Sequence, residues 1–272
     1  MGGSMALALK EVNNDLKLFG LDKNENNLNY LMGKKIINKI INNKNISQLD
    51  ILFIAVPVRS VITVITDLLP YLDIEKTLVS DMGSTKAFIC KQIKEKFPEL
   101  NFIGGHPMTG KELSGPQNAT ADLFKGRTYV LIEELDDVFI KKRELLINLL
   151  EDIGANIVSM DAQRHDEIVS LTSHLPHLLA AAIVNQLSDC EENYSEITKI
   201  MGQGYRDFTR IAACNPEMWQ DIFLTNKETI LDKYEGLIEQ MNIFKEALEN
   251  DDEDLIFDLM SAAQAKRLSL DE

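Results

Sequence analysis

Ile51-Leu52-Phe53-Ile54-Ala55-Val56-Pro57 is an unbroken apolar run closed by a proline, and together with the next two segments it decides the fold. Residues 61–72 place apolar side chains at helical spacing, and Leu78-Val79-Ser80-Asp81 then returns to a short run ending on an acid. A strand, a helix and a second strand within about thirty residues make a βαβ unit with parallel strands. The alternation continues on both sides. Strands are expected at 17–21, 101–103, 128–132 and 156–160, and helices at 5–12, 86–97 and 137–153. Strands covered on both faces read as continuous apolar runs, so the fold class is α/β with a mainly parallel sheet. Residues 24–46, rich in Asn, Lys and Ile, keep enough apolar positions to read as helix and loop surface.

From Asp161 onward only helical signals appear, which predicts an α/β domain over 1–160 and an all-α domain over 161–272. Asn215-Pro216-Glu217 offers a cap followed by proline at the first helical position. Thr225-Asn226-Lys227-Glu228 fits a capping box. Beyond it Ile230, Tyr234, Leu237, Met241, Phe244 and Leu248 recur at steps of four and three. Such a seam must pack on something. An intramolecular core is one answer, and a second subunit, giving a homodimer, is the favoured one.

Composition narrows the function. A net charge of -15 removes the basic footprint of sequence-independent nucleic-acid binding. The same charge repels anionic ligands at long range, so local cations must attract them. Arg59, Lys86, Lys111, Arg206 and Arg210 are the candidates. No run of about 18 apolar residues suggests a membrane crossing, and the start carries no basic leader. The expected location is the cytoplasm, without a membrane. Cys90, Cys190 and Cys214 are scattered, without metal-ligand spacing, so reduced thiols and no metal site are expected.

Gly2-Gly3-Ser4 precedes an Ala/Leu-rich helix, and Asp22 follows the strand expected at 17–21. Glycines at a helix start, with an acid about 20 residues on, fit a Rossmann-type dinucleotide-binding unit. The helix N-terminus takes the pyrophosphate and the acid the ribose hydroxyls. The first strand and first glycines of that fingerprint are missing ahead of Met1, so the sheet reads as incomplete at its N-terminus. Met1 is therefore expected to be an internal methionine, with a natural start roughly ten residues earlier, one strand and its turn. Asp22 repels a 2′-phosphate and favours NAD over NADP, partly offset by Lys23.

The remaining signals are Asp81-Met82-Gly83-Ser84-Thr85-Lys86, Gly104-Gly105-His106-Pro107, Ser173-His174-Leu175-Pro176-His177 and Asp207-Phe208-Thr209-Arg210-Ile211-Ala212. With Gly2-Gly3-Ser4, and in this order, they resemble prephenate dehydrogenase over essentially the whole chain. The resemblance implies an NAD-dependent oxidation of prephenate at its ring hydroxyl, with loss of the ring carboxylate, in tyrosine biosynthesis. It implies His106 as proton acceptor, in a glycine-rich loop, with Ser84 hydrogen-bonded to it and to substrate. It implies Arg210 as a carboxylate clamp, a task suited to a planar two-pronged donor. Asp207, three residues earlier on one helical face, is placed to hold that arginine or to steer the active-site network. His177 is assigned to substrate. Lys111 stands where the family often carries a smaller polar residue, which alters how that position meets substrate. Gly2, Gly3, Ser4, Asp22, Lys23, Val56 and Pro57 are assigned to the cofactor. Pro176 is expected to interrupt its helix, and Trp219 to be core or pocket wall. Arogenate as substrate and a non-catalytic, cofactor-impaired homologue are the alternatives.

Overall fold

The computed structural model describes residues 1–42, 45–111, 113, 115–132, 140–191 and 196–270, the side chains of 188–191 excepted. The Cys190 side chain and the first three residues of the helix expected at 137–153 lie outside that description.

The chain opens with α1 (Gly2–Val12), β1 (Phe19–Gly20), α2 (Glu25–Gly33) and β2 (Lys39–Ile40). It continues through β3 (Ile51–Ile54), α3 (Val61–Leu68), β4 (Leu78–Asp81), α4 (Ala87–Lys96), β5 (Phe102–Ile103) and β6 (Gly105–Pro107). Next come β7 (Thr128–Ile132), α5 (Ile140–Asp152) and β8 (Asn156–Met160). Three ladders result: β1–β2, β3–β4–β5 and β6–β7–β8. Every pairing is parallel except that of β6 with β7, where His106 faces Val130.

Side chains alternate across the strands with period two, and the alternation sorts them into two cores. Leu52, Ile54, Val79, Val130 and Ile132 point to a cluster completed by Val61, Ile62 and Ile65 of α3 and Ile89 and Ile93 of α4. Leu78, Tyr129 and Leu131 point the other way, to Met5, Ala8 and Leu9 of α1 and Leu146 and Leu150 of α5. Helices therefore cover both faces of a parallel sheet, as the apolar runs required. All four residues of β4 are buried. The β-branched Val61-Ile62-Thr63-Val64-Ile65-Thr66 helix is poor by propensity, and packing decides its state. Each fully buried Ile or Val there contributes roughly 1.5–3 kcal/mol.

The helical part begins at α6 (Ala162–Val169), capped by Asp161, whose side chain accepts from the Arg164 N–H at 2.7 Å. A π-helical turn, Ser170–His174, joins it to α7 (Leu175–Glu191). The interruption expected at Pro176 takes this form: the helix widens just before the residue that lacks an N–H. Short helices α8 (Ile197–Ile200) and α9 (Gln203–Thr209) lead to a 3₁₀ turn, Arg210–Ala213, and to α10 (Pro216–Thr225). Asn215 caps α10 as expected, accepting from the Met218 N–H at 3.0 Å.

Residues Met1–Asn226 form one compact unit and Lys227–Glu272 a second, made of α11 (Lys227–Glu249) and α12 (Glu253–Leu268). Asp251 closes α11 in the left-handed region at φ 53, and the Asp252 N–H reaches back to the Ala247 carbonyl at 2.9 Å. Asp252 then caps α12 through the Leu255 N–H at 3.0 Å.

Several expectations need correcting. His106 lies on a strand, not in a loop. The glycines before it serve close packing: a Cβ on Gly105 would stand 2.6 Å from the Asp81 carbonyl oxygen. The capping box does not form, because the Thr225 hydroxyl donates to the Asp221 carbonyl of its own helix at 2.8 Å. β2 arises inside the Asn-rich stretch read as helix and loop. The seam of α11 needs no correction: it is only partly covered, with Met241 57% and Leu248 64% exposed, so an intramolecular core does not account for all of it. Finally, residues 162–187 form one helical run long and apolar enough to cross a membrane. Its polar side chains His165, Asp166 and His174 are buried in hydrogen bonds within the first unit, while only 28% of its apolar window is buried.

Candidate active site

The site grows from the carboxyl end of β4. The Asp81 carboxylate accepts from the Gly83 N–H at 2.7 Å and the Gly105 N–H at 3.1 Å. It is also paired with the Lys86 ammonium, which donates to the Gly105 carbonyl at 2.7 Å. Both side chains are fully buried. Taking two charges out of water costs several kcal/mol per ion and is offset only by good geometry and further hydrogen bonds. Those bonds converge on Gly105 and fix the backbone that carries His106. Lys86, expected among the cations that attract ligand, is instead committed here. Arg59 lies 3.8 Å from Asp221, and Arg206 donates to the Thr198 carbonyl at 3.5 Å.

Three of the four histidines of the chain, His106, His165 and His174, gather beside this pair. His106 Nδ1 lies 2.8 Å from His165 Nε2, and His165 Nδ1 lies 2.7 Å from Asp166 Oδ1. Asp166 accepts from the Lys86 N–H at 2.8 Å and the Ala87 N–H at 2.9 Å, both at the start of α4. Asn226 donates to the Asp166 carbonyl at 2.9 Å and sits 3.2 Å from His174 Nδ1. Burial pushes the His106 pKa well below its ordinary 6.5, and the charges of His165, Lys86 and His174 push the same way. At neutral pH this imidazole is uncharged and able to take a proton. His174 is lowered to about 4, again chiefly by burial, although Asp166 opposes the shift.

His177 stacks on Trp219, with ring centroids 3.7 Å apart and planes 23° apart. Its Nδ1 lies 2.8 Å from the Ser173 carbonyl. Burial lowers its pKa; the Ser173 carbonyl raises it, and the nearby Arg210 guanidinium lowers it. Trp219 is buried and also meets His174 edge-on at 6.0 Å. Successive electrostatic neighbours thus run from His106 through His174 and His177 to Arg210.

Ser84 lies half-buried in the turn between β4 and α4. Its expected bond to His106 is not made among the described residues, where His106 Nδ1 is paired with His165. Asp207 is exposed and accepts from Gln203 at 2.7 Å. Lys111 is exposed and donates to the Asn118 carbonyl at 2.9 Å. Among the described residues no cluster of His, Cys, Asp or Glu is placed to hold a metal ion.

The residues assigned to the cofactor stand at the carboxyl ends of β1 and β3 and at the start of α1. A Cβ on Gly2 would lie 3.3 Å from the Ala55 side chain, and one on Gly3 3.3 Å from that of Ala119. The helix start is thus packed close against the β3 end, which leaves Val56 half-buried and Pro57 exposed. Asp22 is exposed and accepts from the Asn24 N–H at 2.8 Å and the Asn27 amide at 3.0 Å, with Lys23 exposed beside it. The Ser4 hydroxyl is buried and accepts from the Thr120 N–H at 3.2 Å. This arrangement fits a dinucleotide laid over strand ends and a helix N-terminus.

Parallel strand ends beside a helix N-terminus, set in the same unit as a hydrogen-bonded histidine, fit the build of dinucleotide-dependent dehydrogenases, and the chain falls in that oxidoreductase class. Residues 5–159 match the family model "Prephenate dehydrogenase, nucleotide-binding domain", and residues 161–262 match "Prephenate dehydrogenase, dimerization domain". The prephenate dehydrogenase of Bacillus subtilis (strain 168) is 30% identical over 98% of this chain and 72% of its own length. The crystal structure of prephenate dehydrogenase from Aquifex aeolicus superposes with TM-score 0.90 at 28% identity, covering 99% of this chain and 96% of that one. A second structure of the A. aeolicus protein, in complex with hydroxyphenyl propionate and NAD+, gives TM-score 0.89 at 30% identity, covering 99% and 94%. The chain belongs to the prephenate dehydrogenase family, as its motifs indicated.

His165, Asp166 and Asn226 escaped the sequence reading. The one signal present was scarcity: with four histidines in 272 residues, a His-Asp pair at a helix start stands out.

Proposed function

We propose that the chain is an NAD-dependent prephenate dehydrogenase that forms 4-hydroxyphenylpyruvate and carbon dioxide in tyrosine biosynthesis. The observation that carries this reading is the imidazole of His106, anchored through Nδ1 2.8 Å from His165 Nε2. When bound, the nicotinamide accepts a hydride from the ring carbon that bears the hydroxyl. His106 takes the hydroxyl proton, the ring carboxylate departs as carbon dioxide with aromatisation, and the proton returns to the phenolic oxygen. Nothing beyond alignment and one proton acceptor is asked of the protein. Arg210 and His177 bind a substrate carboxylate, Ser84 the hydroxyl, and Asp207 and Lys111 border the site. Gly2, Gly3 and Ser4 offer the α1 N-terminus to the pyrophosphate, Asp22 and Lys23 face the ribose, and Val56 and Pro57 flank the crevice. Asp22 favours NAD over NADP.

The functional division falls at residues 1–160 and 161–272, and the enzyme is a cytoplasmic homodimer paired through the C-terminal helices. The description of the matched second domain and the exposed apolar side chains of α11 and α12 support the pairing.

Reduction of NAD followed at the nicotinamide absorbance, with and without prephenate, tests the reading. No prephenate-dependent signal would leave the non-catalytic homologue standing. His106→Asn is expected to lower kcat on the order of 10²-fold or more with cofactor affinity nearly intact. Unchanged turnover removes His106 from the mechanism. Comparing kcat/KM on prephenate and arogenate decides between the two substrates.

A further inference from the structure

We propose that His165 and Asp166 are positioning residues that lock His106 in the tautomer with Nδ1 protonated and Nε2 bare, so that substrate delivers its proton only at Nε2. This rests on the reading of His106 as proton acceptor and adds which nitrogen acts and what holds it.

The chain of hydrogen bonds is anchored at α4. Asp166 receives two backbone N–H groups at the first turn of that helix, where the dipole favours a negative charge. An ionised carboxylate can only accept. His165 Nδ1, 2.7 Å away, must therefore donate. With that nitrogen committed, a neutral His165 presents a lone pair at Nε2 to His106 Nδ1, 2.8 Å away. His106 Nδ1 then carries the hydrogen, and Nε2 is the only site left for an incoming proton.

The opposite arrangement makes His165 a cation donating to His106. It would leave Nδ1 of His106 bare and put the hydrogen of the neutral ring on Nε2, the arrangement that the spectra below distinguish. Once His106 accepts a proton the balance changes, because the new charge lies one hydrogen-bonded ring from the Asp166 carboxylate. Position is fixed as well as tautomer. Lys86 uses its backbone N–H to hold Asp166 and its ammonium to hold the Gly105 carbonyl, so one residue ties both ends of the chain. The groups bearing on His106 are then His165, Asp166, Lys86, Asp81 and His174.

The test uses the full chain with ¹⁵N-labelled histidine. Two-bond H–N correlation spectra are expected to show His106 protonated at Nδ1 near neutral pH. His165→Phe keeps a ring of similar size but removes the acceptor. His106 is then expected to shift toward the Nε2-protonated form, with kcat falling roughly 10²-fold and KM for NAD little changed. Its pH–rate profile should also move. If His165→Phe does not fold, Asp166→Asn, which keeps the side-chain shape, carries the same readouts. A wild-type His106 protonated at Nε2 overturns the proposal. So does a variant whose tautomer and pH profile match the wild type. Those outcomes leave the acceptor role intact if His106→Asn is inactive. A fully active His106→Asn sinks the acceptor role itself.

Discussion

At His177, Nδ1 faces the Ser173 carbonyl and must donate to it, so the neutral ring has no hydrogen left at Nε2. To bind a carboxylate through Nε2 the ring must be protonated. Its pKa is held below the ordinary 6.5, first by burial, against the Ser173 carbonyl and with the Arg210 charge. A lowered histidine is charged only below that lowered value, so carboxylate binding weakens as pH rises through it. KM for prephenate, measured from about pH 5 to 8, is expected to rise across the acid side. His177→Asn, whose amide donates at every pH, is expected to flatten that dependence; a slope that persists unchanged contradicts the assignment. His106, His177 and Arg210 could be singled out as candidates because motif residues announce themselves one at a time. The contact of His106 with His165 was not, since 59 positions separate them and only the packing of α6 on α4 joins them.

The elements were easier to read than the reasons for their joins. β3, β4 and β7 read as apolar runs because burial on two faces leaves no polar alternation. β6 reads as a loop because two glycines precede its histidine. Their purpose is proximity: the Gly105 position lies against the Asp81 carbonyl, the Ser80 hydroxyl and the Tyr129 ring. Gly105→Ala therefore forces backbone apart from backbone. It is expected to cost about 1–3 kcal/mol or more, read as a lower urea midpoint, together with loss of turnover if the proposed acceptor His106, carried on β6, acts as such. A variant as stable as the wild type would show that the strands have room to separate. The mistaken capping box has a similar cause. Thr225 suits either a cap or a back-bond to its own helix, and the bond to Thr85 at 2.9 Å favours the second.

For the whole molecule, two compact units and a surface rich in apolar side chains on the second govern behaviour. Met241, Phe244 and Leu248 line an open groove with Lys245 and Glu249, and Phe257 on α12 is 71% exposed. Surface of that kind marks an interaction site. Met241→Asp with Leu248→Asp is expected to turn a dimer into monomers in sedimentation velocity, while the first unit keeps its helical circular dichroism. Monomeric wild-type protein would refute the pairing. The seam was visible as periodicity, but periodicity does not say what covers it. The single tryptophan of the chain lies with its indole flat against His177. A protonated imidazole quenches indole emission efficiently, so the intrinsic fluorescence of this protein is a built-in optical gauge of charge on the His177 ring. Titrating it needs no label and no turnover.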